Sequence, residues 1–322
     1  MPKHCKEFTG CNEVYKGIIK EAEEFFPAYD LIENVNTNQI DYQIIHASRG
    51  CIRRCPFCGT WKIEPKFEPK KSIKSEIKFR KIVFYNNNFL ANPYIENILT
   101  ELIDFKKNKK ILWCESQSGF DGRICLEKPY LAKMLKEAGF RYPQIAWDWK
   151  FKEYPFIEEQ VNLLKKVGYN SKDIYIFVIY NWEIPFKEME QKRLKCWEWQ
   201  VQIADCRYRP LEQTFDNYNS QKANQTIKDY HINEKAGWTD TLVKQFRKNV
   251  RRQNICVRHE FPFYSKALEH KEITGNIIKI MISTKNKKDK IKYLKENRID
   301  YWFPNEVTYS KEEILLTLFK SN

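Results

Sequence analysis

The chain has 322 residues, enough for one large domain or a main domain with a small appendage. Its composition, 42% hydrophobic, 15% aromatic and 30% charged, excludes disorder as the overall state, and no apolar run is long enough to span a membrane. The net charge of +14 has two readings: Lys as the ordinary surface residue, spread along the whole chain, or attraction to a polyanion such as RNA, DNA or a phosphorylated ligand.

Residues 1–40 read as an N-terminal extension. "MPKHCKEFTGCNEVYKG" has no apolar core and no small-residue cleavage site, so a cytoplasmic setting is expected. In a reducing compartment clustered cysteines more often bind metal than form disulfides. A strand-then-helix rhythm follows. Strands are predicted at 41–48, 81–86, 110–115, 144–149, 174–180 and within 201–211. Helices are predicted between them at 93–107, 128–139, 155–168 and 185–200, two of them closed by Gly139 and Gly168. Strands alternating with helices imply parallel βα units. Six units over 41–211 predict an α/β fold, a partial (β/α)6 TIM-like barrel, with its site at the carboxyl ends of the strands. Residues 212–274 follow as a polar flap and a basic helix, 238–255, with Thr239 as its N-cap. Residues 275–322 read as a small βαβα C-terminal extension.

Three of the ten cysteines, Cys51, Cys55 and Cys58, fall within "HASRGCIRRCPFCGTW", just after the first strand. Structural zinc wants four ligands, commonly in two pairs; His46 is the nearby fourth candidate, but it lies inside the predicted strand and no second Cys-x2-Cys pair exists. A [4Fe–4S] cluster is the alternative. Held by three thiolates, it leaves one iron open to bind a substrate or cofactor. The first site would make the chain a zinc-containing nucleic-acid-binding module, the second an enzyme.

The spacing Cys51-x3-Cys55-x-Phe57-Cys58 after the first strand of a βα series resembles the radical S-adenosylmethionine (radical SAM) superfamily. The resemblance covers roughly residues 28–211. The lead-in "PAYDLIENVN" is similar to members whose relatives carry a cobalamin domain, which the forty residues before the first strand are too few to hold. The resemblance implies that Cys51, Cys55 and Cys58 hold a [4Fe–4S] cluster. S-adenosylmethionine would bind the fourth iron and be cleaved reductively to a 5′-deoxyadenosyl radical that abstracts a substrate hydrogen. An electron donor such as flavodoxin or ferredoxin is implied as a partner. Phe57 would contact the adenine. Asn86, Asn87 and Asn88 stand where the methionine amine is received, in a place where relatives commonly have an acid. Glu115, Ser116 and Asp148 would serve the carboxylate and ribose sides.

Other groups could take part. Cys206 could donate a hydrogen atom, Arg209 lies with Arg207 and Asp216 on the expected substrate side, and His259 could serve acid/base work beside a strand-like run at 256–264. Lys244, Arg247, Lys248, Arg251 and Arg252 share one face of the basic helix, either a solvated face or a phosphate-binding ridge. A nucleic-acid base or phosphorylated small molecule is the favoured substrate class. A peptide is the alternative, disfavoured because no second Cys cluster is present.

Overall fold

A computed structural model describes residues 41–260 and the helix at 287–296. The expectations for 1–40, for 261–286 and for 297–322 lie outside the described residues. The first three-stranded parallel sheet runs β1 (Gln43–Ile45), β4 (Lys81–Phe84), β5 (Trp113–Ser116) in spatial order, with Ile44 opposite Val83 and Val83 opposite Glu115. The second runs β6 (Gln144–Ala146), β7 (Tyr175–Tyr180), β8 (Gln202–Arg207), also parallel, with Phe177 opposite Ala204. Two isolated parallel bridges, Cys114 to Phe140 and Phe120 to Ile145, join the sheets at the β5–β6 edge. Among the described residues no pairing joins β1 to β8, so the sheet does not close.

The connections are helical, as parallel pairing requires. After the one-turn α1 (Thr60–Ile63) come α2 (Ile95–Lys107), the short α3 (Gly122–Glu127), α4 (Tyr130–Glu137), α5 (Tyr154–Lys166) and α6 (Phe186–Trp199). Each of the longer ones presents an apolar stripe to the sheet, such as Ile95, Ile98, Leu99 and Leu102 on α2. Two apolar clusters result. One packs Phe84, Phe89, Phe120 and Phe140 against the first sheet; the other packs Trp147, Tyr180, Phe186, Trp238 and Phe246 against the second. Each such fully buried side chain contributes about 1.5–3 kcal/mol.

Three boundaries differ from the sequence expectation. The first strand breaks after Ile45 and resumes as β2 (Ser48–Arg49), which pairs antiparallel with β3 (Glu68–Pro69). The break is made by side chains. Asn86 accepts from the Ala47 N–H, while the Ala47 carbonyl accepts from Asn92 Nδ2 and from the Lys70 N–H, so both backbone groups turn away from β4. β6 stops at Ala146, short of the expected 149. Residues 256–259 are not strand-like: α7 (Asp240–His259) runs through them and ends where Glu260 turns left-handed, φ 57°. Cys256 and Val257 continue the buried stripe of Val243, Phe246, Val250 and Gln253, and that periodicity outweighs local β content. Thr239 does cap this helix, its hydroxyl accepting from Leu242 N–H.

The polar segment before α7 is mostly turn and coil, tied to the end of β7 by one residue. Asn181, fully buried at φ 61°, donates to the His231 carbonyl and accepts from Asn233 N–H. On α7, Lys244 pairs with Asp240 at 2.6 Å and Arg247 lies over the Tyr218 ring. These two bases of the expected phosphate ridge are therefore engaged within the chain. The remaining described helix is α8 (Lys287–Glu296).

Candidate functional site

The cysteines lie on the loop between β2 and β3. Gly50 opens it at φ 70°, and a Cβ there would run into the Lys66 carbonyl oxygen. Glu64, just after α1, clasps the loop: one oxygen accepts from Gly50 N–H and Asn87 Nδ2, both at 2.8 Å, and the other faces Arg49. Gly50→Ala is expected to lower stability by about 1–3 kcal/mol, because both the left-handed backbone and the close approach exclude a side chain. Urea titration checks this.

All three thiols are free and half-buried. Arg53 N–H donates to Cys51 Sγ at 3.3 Å, and Cys58 N–H donates to the Cys55 carbonyl at 3.0 Å. Cys58 Sγ–H donates to Thr60 Oγ1, whose own hydroxyl donates to Asn87 Oδ1 at 3.1 Å. Burial pushes the Cys55 thiol up, with the Asp148 carboxylate and the other two cysteines adding to it and Arg123 opposing.

The thiols open onto a cavity of about 600 Å³, within the size range of small-ligand sites. Its lining comes from the cysteine loop and from the carboxyl ends of three parallel strands. Beyond the cysteine loop stand Asn87 and Asn88 after β4, Ser118–Arg123 after β5, and Asp148 and Trp149 after β6, with Gln160 of α5 behind. The Phe57 ring meets Trp149 and Trp182 edge-on, at 5.8 and 5.0 Å, and makes an aromatic wall.

Two charged centres face this space. Asp121, buried, accepts from Arg53 Nε at 2.9 Å and Arg123 Nε at 2.8 Å, and Asn88 Nδ2 reaches it at 3.3 Å. Burial pushes its carboxyl up, but the bonds to Arg123 and Arg53 outweigh that and hold it below its ordinary value. Asp148 behaves in the opposite way. Burial pushes it up to about 6, against Lys192 and Arg123, which lower it, and with Glu153, which adds to the rise. The cavity therefore holds one fixed anion bridging two arginines and one carboxylate poised near neutrality.

The structure brings together part of the expected set: Cys51, Cys55, Cys58, Phe57, Asn87, Asn88 and Asp148 all line the cavity. The others lie elsewhere. Asn86 is fully buried with its amide engaged by Ala47 and by the Ser48 carbonyl and hydroxyl, so it shapes the β1–β2 bend. Glu115 pairs with Arg141 at 2.5 Å, and the Ser116 hydroxyl donates to the Gly119 carbonyl. Cys206 is exposed at the carboxyl end of β8, close enough to Asp148 and Asp205 for both to raise its thiol after burial does. Arg209 stands 3.5 Å from Asp216, which Arg207 holds at 2.6 Å. His259 lies at the other end of the strands, where its neighbour Arg258 reaches Gln202, the first residue of β8. It does not face the cavity, because the helix carries it to the amino ends of β7 and β8.

Sequence reading missed Arg53, Asp121, Arg123 and Gln160. The only local signal was "SGFDGR" directly after a strand, where Asp121 caps α3.

Three thiols on one loop are a donor set that an iron–sulfur cluster or a zinc ion could take up. Among the described residues no three His, Cys, Asp or Glu side chains converge on one point. A tetrahedral ion takes its ligands at one point, whereas each thiolate of a cluster holds a different iron. Searches for relatives return nothing: no family model matches the chain, and no curated protein is similar to it at a significant level. Among the described residues no helix is long and apolar enough to cross a membrane.

Proposed function

We propose that this chain is a radical SAM enzyme built on a partial (β/α)6 barrel, the six parallel strands β1, β4, β5, β6, β7 and β8 forming its open wall. One observation carries the reading. The three free thiols of Cys51-x3-Cys55-x2-Cys58 all line one ligand-sized cavity, beside residues that follow the parallel strands β4, β5 and β6. Cys51, Cys55 and Cys58 would hold a [4Fe–4S] cluster. Once bound, such a cluster would supply the electron for reductive cleavage of S-adenosylmethionine to methionine and a 5′-deoxyadenosyl radical.

The chain's own groups would bind and shield. Asn87 and Asn88 offer amide oxygens at the cavity wall to an ammonium donor. Arg53 and Arg123, fixed by Asp121, present positive charge to a carboxylate. Asp148 can accept from a ribose diol, and the Phe57–Trp149–Trp182 wall excludes water beside the adenine. Substrate would enter from the β7–β8 side, past Cys206, Arg207 and Arg209. A nucleic-acid base or phosphorylated small molecule suits the +14 charge, and a flavodoxin- or ferredoxin-like protein would donate the electron.

The test is anaerobic reconstitution with iron and sulfide, followed by reduction with S-adenosylmethionine present. Wild type is expected to turn brown and release 5′-deoxyadenosine; Cys55→Ala is expected to lose that release at least 100-fold. A colourless protein with one zinc per chain would contradict the reading.

A further inference from the structure

A fully buried lysine stands behind the cavity wall without an ordinary explanation. Lys192, on α6, is 0% exposed. Its Nζ donates to the Trp147 carbonyl at 3.0 Å and sits 5.3 Å from the centre of the Trp147 ring. Among the described residues no carboxylate oxygen lies within ion-pair distance of it. An ammonium with three donors and so few partners is costly to bury. The next residue on the same helix shows the usual solution, since Arg193 is buried against Glu190 at 2.7 Å. Lys192 points instead at the turn leaving β6, where Trp147 stays in the core and the next two residues, Asp148 and Trp149, line the cavity.

We infer that Lys192 is a positioning residue: from behind β6 its buried ammonium grips the Trp147 carbonyl and sets the charge of Asp148, one residue further on. This deepens the proposed reading of the cavity and rests on it. The groups facing Asp148 are Lys192 from α6, Arg123 from α3, Glu153 from the turn before α5, Cys55 from the cysteine loop and Cys206 from β8. Those facing Lys192 are Asp148, Glu153, Glu188 and Cys196. The two central groups are displaced toward each other: burial lowers Lys192 to about 8 and raises Asp148 to about 6. Near pH 7 both are charged, and each favours the charged form of the other. Below pH 6 Asp148 takes up a proton and its capacity to accept from a bound diol falls. Removing the lysine charge would shift that loss upward, into the neutral range.

The test is a titration of the Asp148 carboxyl in the full chain, by ¹³C NMR of aspartate-labelled protein, with Asp148→Asn identifying the resonance. Wild type should titrate near pH 6. Lys192→Met should raise the midpoint by about one unit, and Lys192→Arg should leave it close to wild type. Lys192→Gln keeps a donor for the Trp147 carbonyl and loses the charge; it should follow Met, and it serves if Met packs poorly. Midpoints in both uncharged variants matching wild type would overturn the inference. A parallel binding titration with S-adenosylmethionine at pH 7 should show affinity reduced about threefold or more in Lys192→Met. If wild type binds none, the proposed function falls, while the carboxyl titration still decides the role of Lys192.

Discussion

Replacing Arg193 by alanine is expected to destabilise the chain by about 3–5 kcal/mol, the largest single-residue effect anticipated away from the cavity. Arg193 and Glu190, both buried, form a closed pair on α6: Arg193 Nε meets the Glu190 carboxylate at 2.9 and 3.0 Å, and Nη2 meets it at 2.7 Å. Two residues of α7 join the network. Arg193 Nη1 donates to Gln253 Oε1 at 2.9 Å, and Asn249 Nδ2 donates to Glu190 at 3.2 Å. Loss of the guanidinium leaves a carboxylate and an amide oxygen without their donor in a region that water does not reach. The pair itself adds little beyond an apolar filling of the same shape. The double variant Arg193→Met with Glu190→Leu should therefore recover most of the loss, less the bonds to Asn249 and Gln253. Urea midpoints at unchanged slope measure both. Equal losses in the single and double variants would show that shape, not charge compensation, governs the site.

The second large effect is on binding. Asp121→Ala should lower stability only modestly, by about 1–2 kcal/mol, through loss of the α3 cap and of pairs to two partly exposed arginines. Its effect on the cavity should be greater. Without the carboxylate, Arg53 and Arg123 repel each other and Asn88 loses its acceptor, so three groups of one wall lose their fixed positions. Cofactor affinity should fall about 10–100-fold, as when supporting residues of other cofactor sites are removed. The Asp121 carboxyl is held low in the folded state, so its contribution is present at neutral pH and disappears as pH falls through that depressed value. Wild type should therefore lose affinity at acid pH more steeply than Asp121→Ala. Equilibrium dialysis with S-adenosylmethionine across pH measures this, and unaltered binding in the variant would remove Asp121 from the site.

Much of this architecture was legible in residue order. The run "IYIFVIY" reads as a strand, and β7 occupies 175–180, with one face buried and the other half-buried. The cysteine loop announced itself by spacing, and its place after the first strand put it at the carboxyl ends of the sheet. What was hidden depended on contacts distant in sequence. The bend at Ala47 is imposed by Asn86 and Asn92, about forty residues away. Asn86 looked like its two neighbours in "NNN" and differs only because its side chain turns inward. Glu115 lies within β5 and pairs with Arg141, whereas Asp148 lies two residues beyond the end of β6, where the turn brings it to the cavity. Lys192 carried a faint signal: it lies at helical spacing from Met189 and Cys196, on a face that should have been apolar. A charged residue there marks a function or a pair, and residue order alone does not say which.

The most direct test of the central claim is electron paramagnetic resonance on the anaerobically reconstituted, reduced chain, recorded with and without S-adenosylmethionine. A cluster held by Cys51, Cys55 and Cys58 alone should take up about four irons per chain, and its signal should shift when the ligand's amino and carboxylate groups reach the remaining iron. A signal that the ligand leaves unchanged, or a chain that takes up no iron, would contradict the account.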